Sequence, residues 1–283
     1  MGSNFTRKNV STMIKDFVKE SLAQDVGRGD LYALVEDAVD VKSDIIAKCD
    51  GIMAGQEYVQ VLADLEGLEI NWGKKDGEVF CQHDILAIVR GDSHAVLKTE
   101  RTILNILLHA SSIATLTNKY ATICEPYDVK LLDTRKTRPL LRVFEKYATR
   151  VGGAVNHRLG LDDSLMIKDT HLKTIKNLKE YIKKARKEIP FTAKIEVEAE
   201  TLSIAKEAFE AGADIVMCDN MTPKQVKDVV EYRDANFAHV LLEASGNISL
   251  DTIESYAKTG VDAISSGSLI HQANWIDLSM KIS

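Results

Sequence analysis

Cysteine is scarce in this 283-residue chain, and the four present (Cys49, Cys81, Cys124 and Cys218) lie far apart and form no C-x-x-C pair. That spacing reads as four reduced thiols in a cytoplasmic protein rather than a disulfide framework. No apolar run approaches the ~18–20 residues a membrane helix needs. No signal-peptide core follows the first residues, so the short templates "NFT" and "NIS" do not read as glycosylation sites. "MGSNFT" fits a myristoylation template, but it is short enough to arise as a start-codon scar or by chance. No basic stripe interleaved with aromatics is present, and the formal charge is -6. Both features argue against a nucleic-acid partner. With 45% hydrophobic and 28% charged residues, the composition also excludes a disordered chain.

What is present is a change of pattern near residue 101. Residues 9–25 place Met13, Phe17 and Leu22 at roughly helical spacing. "DVGRGDLY" breaks that pattern at Gly27 and Gly29. Residues 43–100 read mainly as strands with glycine turns and one helix near 55–64, a small α+β domain. From 101, "RTILNILLHASSIATLTNKYATICE" reads as a long apolar-striped helix. Seven short apolar strands follow, at roughly 129–133, 153–157, 164–168, 193–198, 214–219, 239–244 and 261–266. Helical patterns near 201–211, 222–233 and 249–260 link the last four. Alternating strand and helix implies a parallel sheet closed into an α/β barrel. The domains are then 1–111, joined by the tail 272–283, and 112–271.

Chemistry in such barrels sits at the C-terminal ends of the strands. Those ends here are Asp133 followed by Arg135 and Lys136, His157 with Arg158, Lys168 with Asp169, Glu198, Asp219 with Asn220, Ser245 with Gly246, and Gly267 with His271 beyond it. One strand-end charge is usually a solvated loop residue. Seven strand ends delivering polar or glycine positions to one rim is a different matter. Between 130 and 176 there are eleven Lys or Arg against five Asp or Glu, a local net of +6 (11 minus 5) in an acidic protein. That surplus suits a small polyanion. The loops "EASGNIS" and "SSGSLIH" suit phosphate, because glycine lets backbone N–H groups approach closely. Glu198 and Asp219 suit ribose hydroxyls, a divalent cation or a developing positive charge. His94 and His109 are assigned no role.

The stretches "ERTILNILLHASSIATLT", "LLDTRKTRP", "GGAVNHRLGLDDSLMIKD", "IEVEAET", "GADIVMCDNM", "LLEASGNI" and "GVDAISSGSL" resemble the quinolinate phosphoribosyltransferase family over nearly the whole chain. The resemblance implies an N-terminal α/β sandwich, a seven-stranded barrel, a homodimer and a reaction between quinolinate and phosphoribosyl pyrophosphate. The expected products are nicotinate mononucleotide, pyrophosphate and CO2, in NAD biosynthesis. By position, the resemblance puts quinolinate on Arg135, His157, Arg158 and Lys168, with Arg101 reaching in from the partner subunit. It puts phosphoribosyl pyrophosphate on Lys136 and Lys168, ribose near Glu198 and Asp219, and phosphate at Ser245, Gly246, Gly267 and His271. Lys136, Lys168, Glu198 and Asp219 carry the catalysis. Mg2+ is the implied cofactor, held mainly through the substrate's pyrophosphate, with Glu198 and Asp219 as candidate protein ligands. Assembly beyond a dimer is left open.

The chain departs from the family at several loops. Thr137-Arg138-Pro139-Leu140 stands for the usual "TTPG", and Ser245-Gly246-Asn247-Ile248 for "SGGI". Thr170 replaces a common Asn, and Tyr32 a usual Thr or Ser. These put loop shapes in question, not the charged residues. Two rival readings are a molybdenum-associated relative of the same fold and a non-catalytic anion-binding protein. The first generally lacks "NHRLGL" and "IKD", which are intact here. Loss of Lys136, Glu198 or Asp219 would favour the second, and all three are present.

Overall fold

The computed structural model describes residues 3–283, with side chains described from residue 12 onward. The template at Gly2 and the Asn4 side chain lie outside them. The chain divides into a first unit, Met1–Thr115 with Asn274–Ser283, and a second, Leu116–Ala273.

The first unit opens with α1 (Ser3–Val26), β1 (Asp40–Ala47), β2 (Gly51–Ile52), α2 (Gln56–Glu66), β3 (Glu69–Trp72), β4 (Val79–Phe80) and β5 (Ile85–Asp92). The buried face of α1 is Ile14, Val18 and Leu22, each four residues on, whereas Met13 is 49% exposed. The expected set Met13, Phe17 and Leu22 was therefore one position out of phase at its first two members. Phe17 instead meets Tyr58 of α2 edge-on at 5.3 Å. The long helix α3 (Ser93–Cys124) begins eight residues earlier than its apolar stripe suggests. Asp92 causes this: its Oδ1 accepts from the amides of His94 (2.8 Å) and Ala95 (3.3 Å) and so satisfies the first free N–H groups.

In the second unit the order is β6 (Lys130–Leu132), α4 (Arg142–Val151), β7 (Leu165–Ile167), α5 (Asp169–Leu172), α6 (Leu178–Glu188), β8 (Ile195–Ala199), α7 (Leu202–Ala211), β9 (Ile215–Asp219), α8 (Pro223–Asn236), β10 (Leu241–Ser245), α9 (Ile253–Ala257), β11 (Ala263–Ser265) and α10 (Ser268–His271). The last strand, β12 (Leu278–Ile282), belongs to the first unit and completes its antiparallel sheet, order β12-β1-β5-β3. Beside that sheet, β2 and β4 pair as a short ribbon.

The second sheet is six-stranded, order β6-β11-β10-β9-β8-β7, and every pairing in it is parallel. The seventh expected strand, 153–157, contributes one parallel bridge, Leu132 to Val155. Its polar groups go elsewhere. The Asn156 side chain (2.6 Å) and the His157 amide (2.8 Å) both donate to the Asp133 carboxylate, so a side chain replaces the next rung of the ladder. The helix expected over 249–260 is cut to Ile253–Ala257.

Strand periodicity then sorts the side chains. Ile167, Ile195, Val197, Ala199, Val216, Cys218, Leu242, Ala244 and Ile264 enter the apolar core with helix residues such as Ala205, Phe209, Val226 and Val230. The alternate residues face the other way. They build the site.

Candidate active site

Those alternate residues line one cavity of about 600 Å³ at the C-terminal rim: Met166 and Lys168 around β7, Glu198 on β8, Met217 and Asp219 on β9, Glu243 and Ser245 on β10, Ser265 on β11. The loop after β6 adds Arg135 and Lys136, and the 153–157 segment leads into His157 and Arg158. The lining belongs throughout to the second unit.

Not all of the positive surplus reaches the cavity. Lys146 is buried and paired with Asp133, also buried. Arg138 is bound by the buried Glu145 at 2.6 Å. Arg142 donates to Thr137 and to the Leu159 carbonyl. Arg135 and Lys136 are different. Among the described residues neither side chain has an ion-pair partner, and Arg135 Nε is buried without any hydrogen-bond acceptor. Arg158 is held by weak or neutral acceptors, the Ser164 carbonyl at 3.1 Å and Met166 Sδ at 3.4 Å. Burial, then repulsion from Arg135, lowers its pKa. The mouth of the cavity therefore holds cations with no direct ion-pair partner among the described residues, a setting that suits an anionic ligand.

The fourth cation, Lys168, pairs with Glu198, a carboxylate 8% exposed. Burial pushes the Glu198 pKa up, and the Lys168 ammonium opposes it. Lys168 also donates its backbone N–H to His171 Nδ1 at 2.9 Å, which fixes the turn into α5. Asp219 stands on the neighbouring strand and accepts from Asn220 Nδ2 at 2.9 Å.

Below them His157 Nε2 lies 3.3 Å from Glu196 Oε2 and 3.3 Å from Glu243 Oε2. Burial alone would lower the His157 pKa; the two glutamates outweigh it and hold it at about 10. Burial also raises the Glu196 pKa. His157 and Glu196 titrate together and hold a proton between them at neutral pH. The Arg158 amide donates to His157 Nδ1 at 2.7 Å, which leaves Nε2, the nitrogen facing the glutamates, to carry the ring proton.

The loops behave as short glycine turns. Gly246 has φ 92°, and a Cβ there would stand 2.4 Å from Asn220 Oδ1. Gly267 has an ordinary φ of -72°; its Cβ would meet Lys136 Cδ at 2.8 Å, so the glycine makes room for that lysine. His271 Nε2 lies on the same side of Gly267. Asn247, where the family has glycine, adopts φ 53° and donates from Nδ2 to Asn220 Oδ1 at 3.1 Å, tying two rim loops together.

Of the residues singled out in the sequence, Arg135, Lys136, His157, Arg158, Lys168, Glu198, Asp219, Ser245 and Gly246 line this cavity. Gly267 and His271 lie just behind Lys136. Arg101 is on α3 in the first unit, exposed. The sequence reading stopped at strand ends and so missed Glu196 and Glu243. The signal was there: each is a charge inside an apolar strand, two positions before a rim residue. His157, placed by the resemblance among the quinolinate contacts, lines the cavity with both ring nitrogens engaged by protein groups.

The geometry defines a site for a polyanion at the C-terminal rim of a parallel α/β sheet. The family model described as the quinolinate phosphoribosyl transferase C-terminal domain matches residues 113–281, and its N-terminal counterpart matches 30–111. The chain is similar to a probable nicotinate-nucleotide pyrophosphorylase (carboxylating) of Methanothermobacter thermautotrophicus, 37% identical over 94% of this chain and 98% of that one. Another with the same description, from Bacillus subtilis, is also 37% identical, over 95% and 93%. The solved nicotinate-nucleotide pyrophosphorylase of Francisella tularensis superimposes with a TM-score of 0.90 at 34% identity, covering 96% and 97%. The chain belongs to the quinolinate phosphoribosyl transferase family and is a phosphoribosyltransferase.

Proposed function

We propose that this cavity transfers the phosphoribosyl group of 5-phosphoribosyl 1-pyrophosphate to quinolinate with decarboxylation. The products are nicotinate mononucleotide, pyrophosphate and CO2, and the step feeds NAD biosynthesis. The observation that carries this reading is the pair Arg135 and Lys136, which enter the cavity with no counter-ion among the described residues. Quinolinate is a dianion, and a guanidinium grips a carboxylate through two parallel N–H donors. Arg135 and Arg158 take that role, with Lys168 beside them. Lys136 and the amides around Ser245, Gly246 and Gly267 take the phosphates.

The pyridine nitrogen then attacks ribose C1, and pyrophosphate leaves with the bonding electron pair. Positive charge develops on the sugar. Glu198 and Asp219 face it from adjacent strands and stabilise it. Holding both substrates in line is worth up to ~7–11 kcal/mol. The ribosylated ring is a pyridinium and accepts the electron pair released as the 2-carboxylate leaves as CO2; C2 then takes a proton. No protein nucleophile is needed.

Mg2+ fits this donor set in part. Asp219 is a rim carboxylate with one oxygen bonded to Asn220, while Glu198 is engaged by Lys168, so Asp219 is the protein group placed to share the ion with substrate pyrophosphate. When bound, Mg2+ neutralises the leaving group.

We also place the chain in a cytoplasmic homodimer whose partner supplies Arg101. Support comes from the exposed apolar residues Leu31, Leu34, Val35 and Val39 of the first unit, a surface suited to a second copy. Two of the cysteines are buried thiols, Cys124 and Cys218, which burial pushes up to about 11 and about 12. They are unreactive, in keeping with a reducing compartment. Among the described residues no helix is long and apolar enough to cross a membrane.

The test is pyrophosphate release with quinolinate and then with nicotinate. Nicotinate leaves cations unpaired and should react at least about a hundredfold more slowly. Equal turnover of both acids contradicts the reading, and release with neither favours a non-catalytic binder.

A further inference from the structure

Glu243, which lines the cavity, and Glu196, buried beside it, are charged residues that substrate recognition leaves unused. They come from β8 and β10, with β9 between, yet both side chains converge on one atom, Nε2 of His157, at 3.3 Å each. They are 1% and 2% exposed. Two carboxylates that deep are costly unless something holds them there for a purpose. Each even keeps an Oε1 without a hydrogen-bond partner among the described residues.

The spacing of the three groups would also suit a divalent ion. The ring excludes it. Nδ1 accepts the Arg158 amide, so it bears no proton, and the proton on Nε2 leaves that atom a donor rather than a ligand.

The other contacts show what is being held. The His157 amide donates to Asp133 Oδ1 at 2.8 Å, and its carbonyl accepts from Lys146 Nζ at 2.8 Å. The backbone of residue 157 is thus fixed from one side and its ring from the other. The ring in turn fixes the amide of residue 158, whose guanidinium enters the cavity. Without the glutamates the ring loses both Nε2 contacts, and the segment 157–158 keeps only its backbone anchors. No regular strand pairing would compensate, because 153–157 makes a single bridge.

We infer that Glu196 and Glu243 are positioning residues: they clamp His157 from the strands opposite and thereby set where Arg158 meets the aromatic dicarboxylate. Neither touches substrate. The inference rests on the proposed quinolinate reaction. Its consequence is selective, because the phosphate side of the cavity is built from Lys136 and the loops after β10 and β11, which the clamp does not contact.

The experiment is steady-state kinetics of Glu196→Leu/Glu243→Leu, which removes both acceptors, with each substrate varied in turn, alongside the wild-type enzyme. The clamp predicts a KM for quinolinate raised by about tenfold or more and a KM for phosphoribosyl pyrophosphate within about twofold of wild type. An unchanged quinolinate KM overturns it. So does a parallel rise in both constants, the signature of general damage. Should the double variant fail to fold, Glu243→Leu decides by the same split, at a threshold of about threefold. Wild-type turnover reports the reaction itself, so failure of the quinolinate reading shows in the control and failure of the clamp shows only in the variants.

Discussion

Lys146 and Asp133 form an ion pair that water does not reach, with both side chains at or below 1% exposure. Thr149 Oγ1 and Asn156 Nδ2 add donors to the same carboxylate. Burial pushes the Lys146 pKa down, and the aspartate opposes it. The pair welds α4 to the end of β6, directly before Arg135 and Lys136.

Removing one partner should therefore be expensive. Lys146→Met leaves Asp133 buried and uncompensated, and a loss of about 3–5 kcal/mol is expected in urea unfolding. Adding Asp133→Asn to that variant should restore part of it. Additive losses in the double variant would show that the two residues do not act as a pair.

Leu140 is the opposite case. It holds φ 66° with its side chain fully in solvent, at a position where the family uses glycine. Left-handed backbone costs a non-glycine residue about 1–3 kcal/mol, and glycine's extra freedom when unfolded takes back part of the gain. Leu140→Gly should stabilise by about 1 kcal/mol, seen as a raised Tm. A lowered Tm would mean that the leucine is held by contacts with another molecule.

The His157 unit predicts a pH dependence. Its folded pKa is about 10 against an ordinary 6.5. The folded chain keeps a proton in that window that the unfolded chain has released, so the stabilisation is complete below 6.5 and is lost as pH rises toward 10. Tm should fall between pH 7 and 9.5, and Glu243→Gln, with one carboxylate fewer, should flatten the slope. A wild-type profile that is flat across this range contradicts the assignment.

Subunit sharing can be read by complementation. Arg101→Ala and Lys168→Ala chains, each inactive alone, are mixed under conditions that exchange subunits. A heterodimer collects both lesions in one site and leaves the other intact, so activity should return. Mixed dimers without activity would place Arg101 in its own subunit's site or in none.

Much of the rim was legible because strands have a period of two. Once "IEVEA", "IVMCD" and "LLEAS" are read as strands, the residues that escape the core are known, and Glu198, Asp219 and Ser245 follow. The hidden parts are those set by distant partners. Arg138 and Lys146 counted toward a free positive surplus until Glu145 and Asp133 were seen to neutralise them. Residues 153–157 read as a strand through Ala154 and Val155, but the Asp133 side chain takes the hydrogen bonds of Asn156 and His157 that would continue the ladder. The start of α3 was hidden because an aspartate cap, not the apolar stripe, decides it.

The alternation along β8 has a consequence for how such an enzyme changes over generations. Val197 packs into the core and Glu198 faces the cavity, one bond apart in sequence and on opposite sides of the sheet. Each strand thus carries two interleaved texts, one answering to folding and the other to chemistry. Mutation can rewrite the second letter by letter while the first stays fixed, so new substrates are reachable on this sheet without passing through chains that cannot fold.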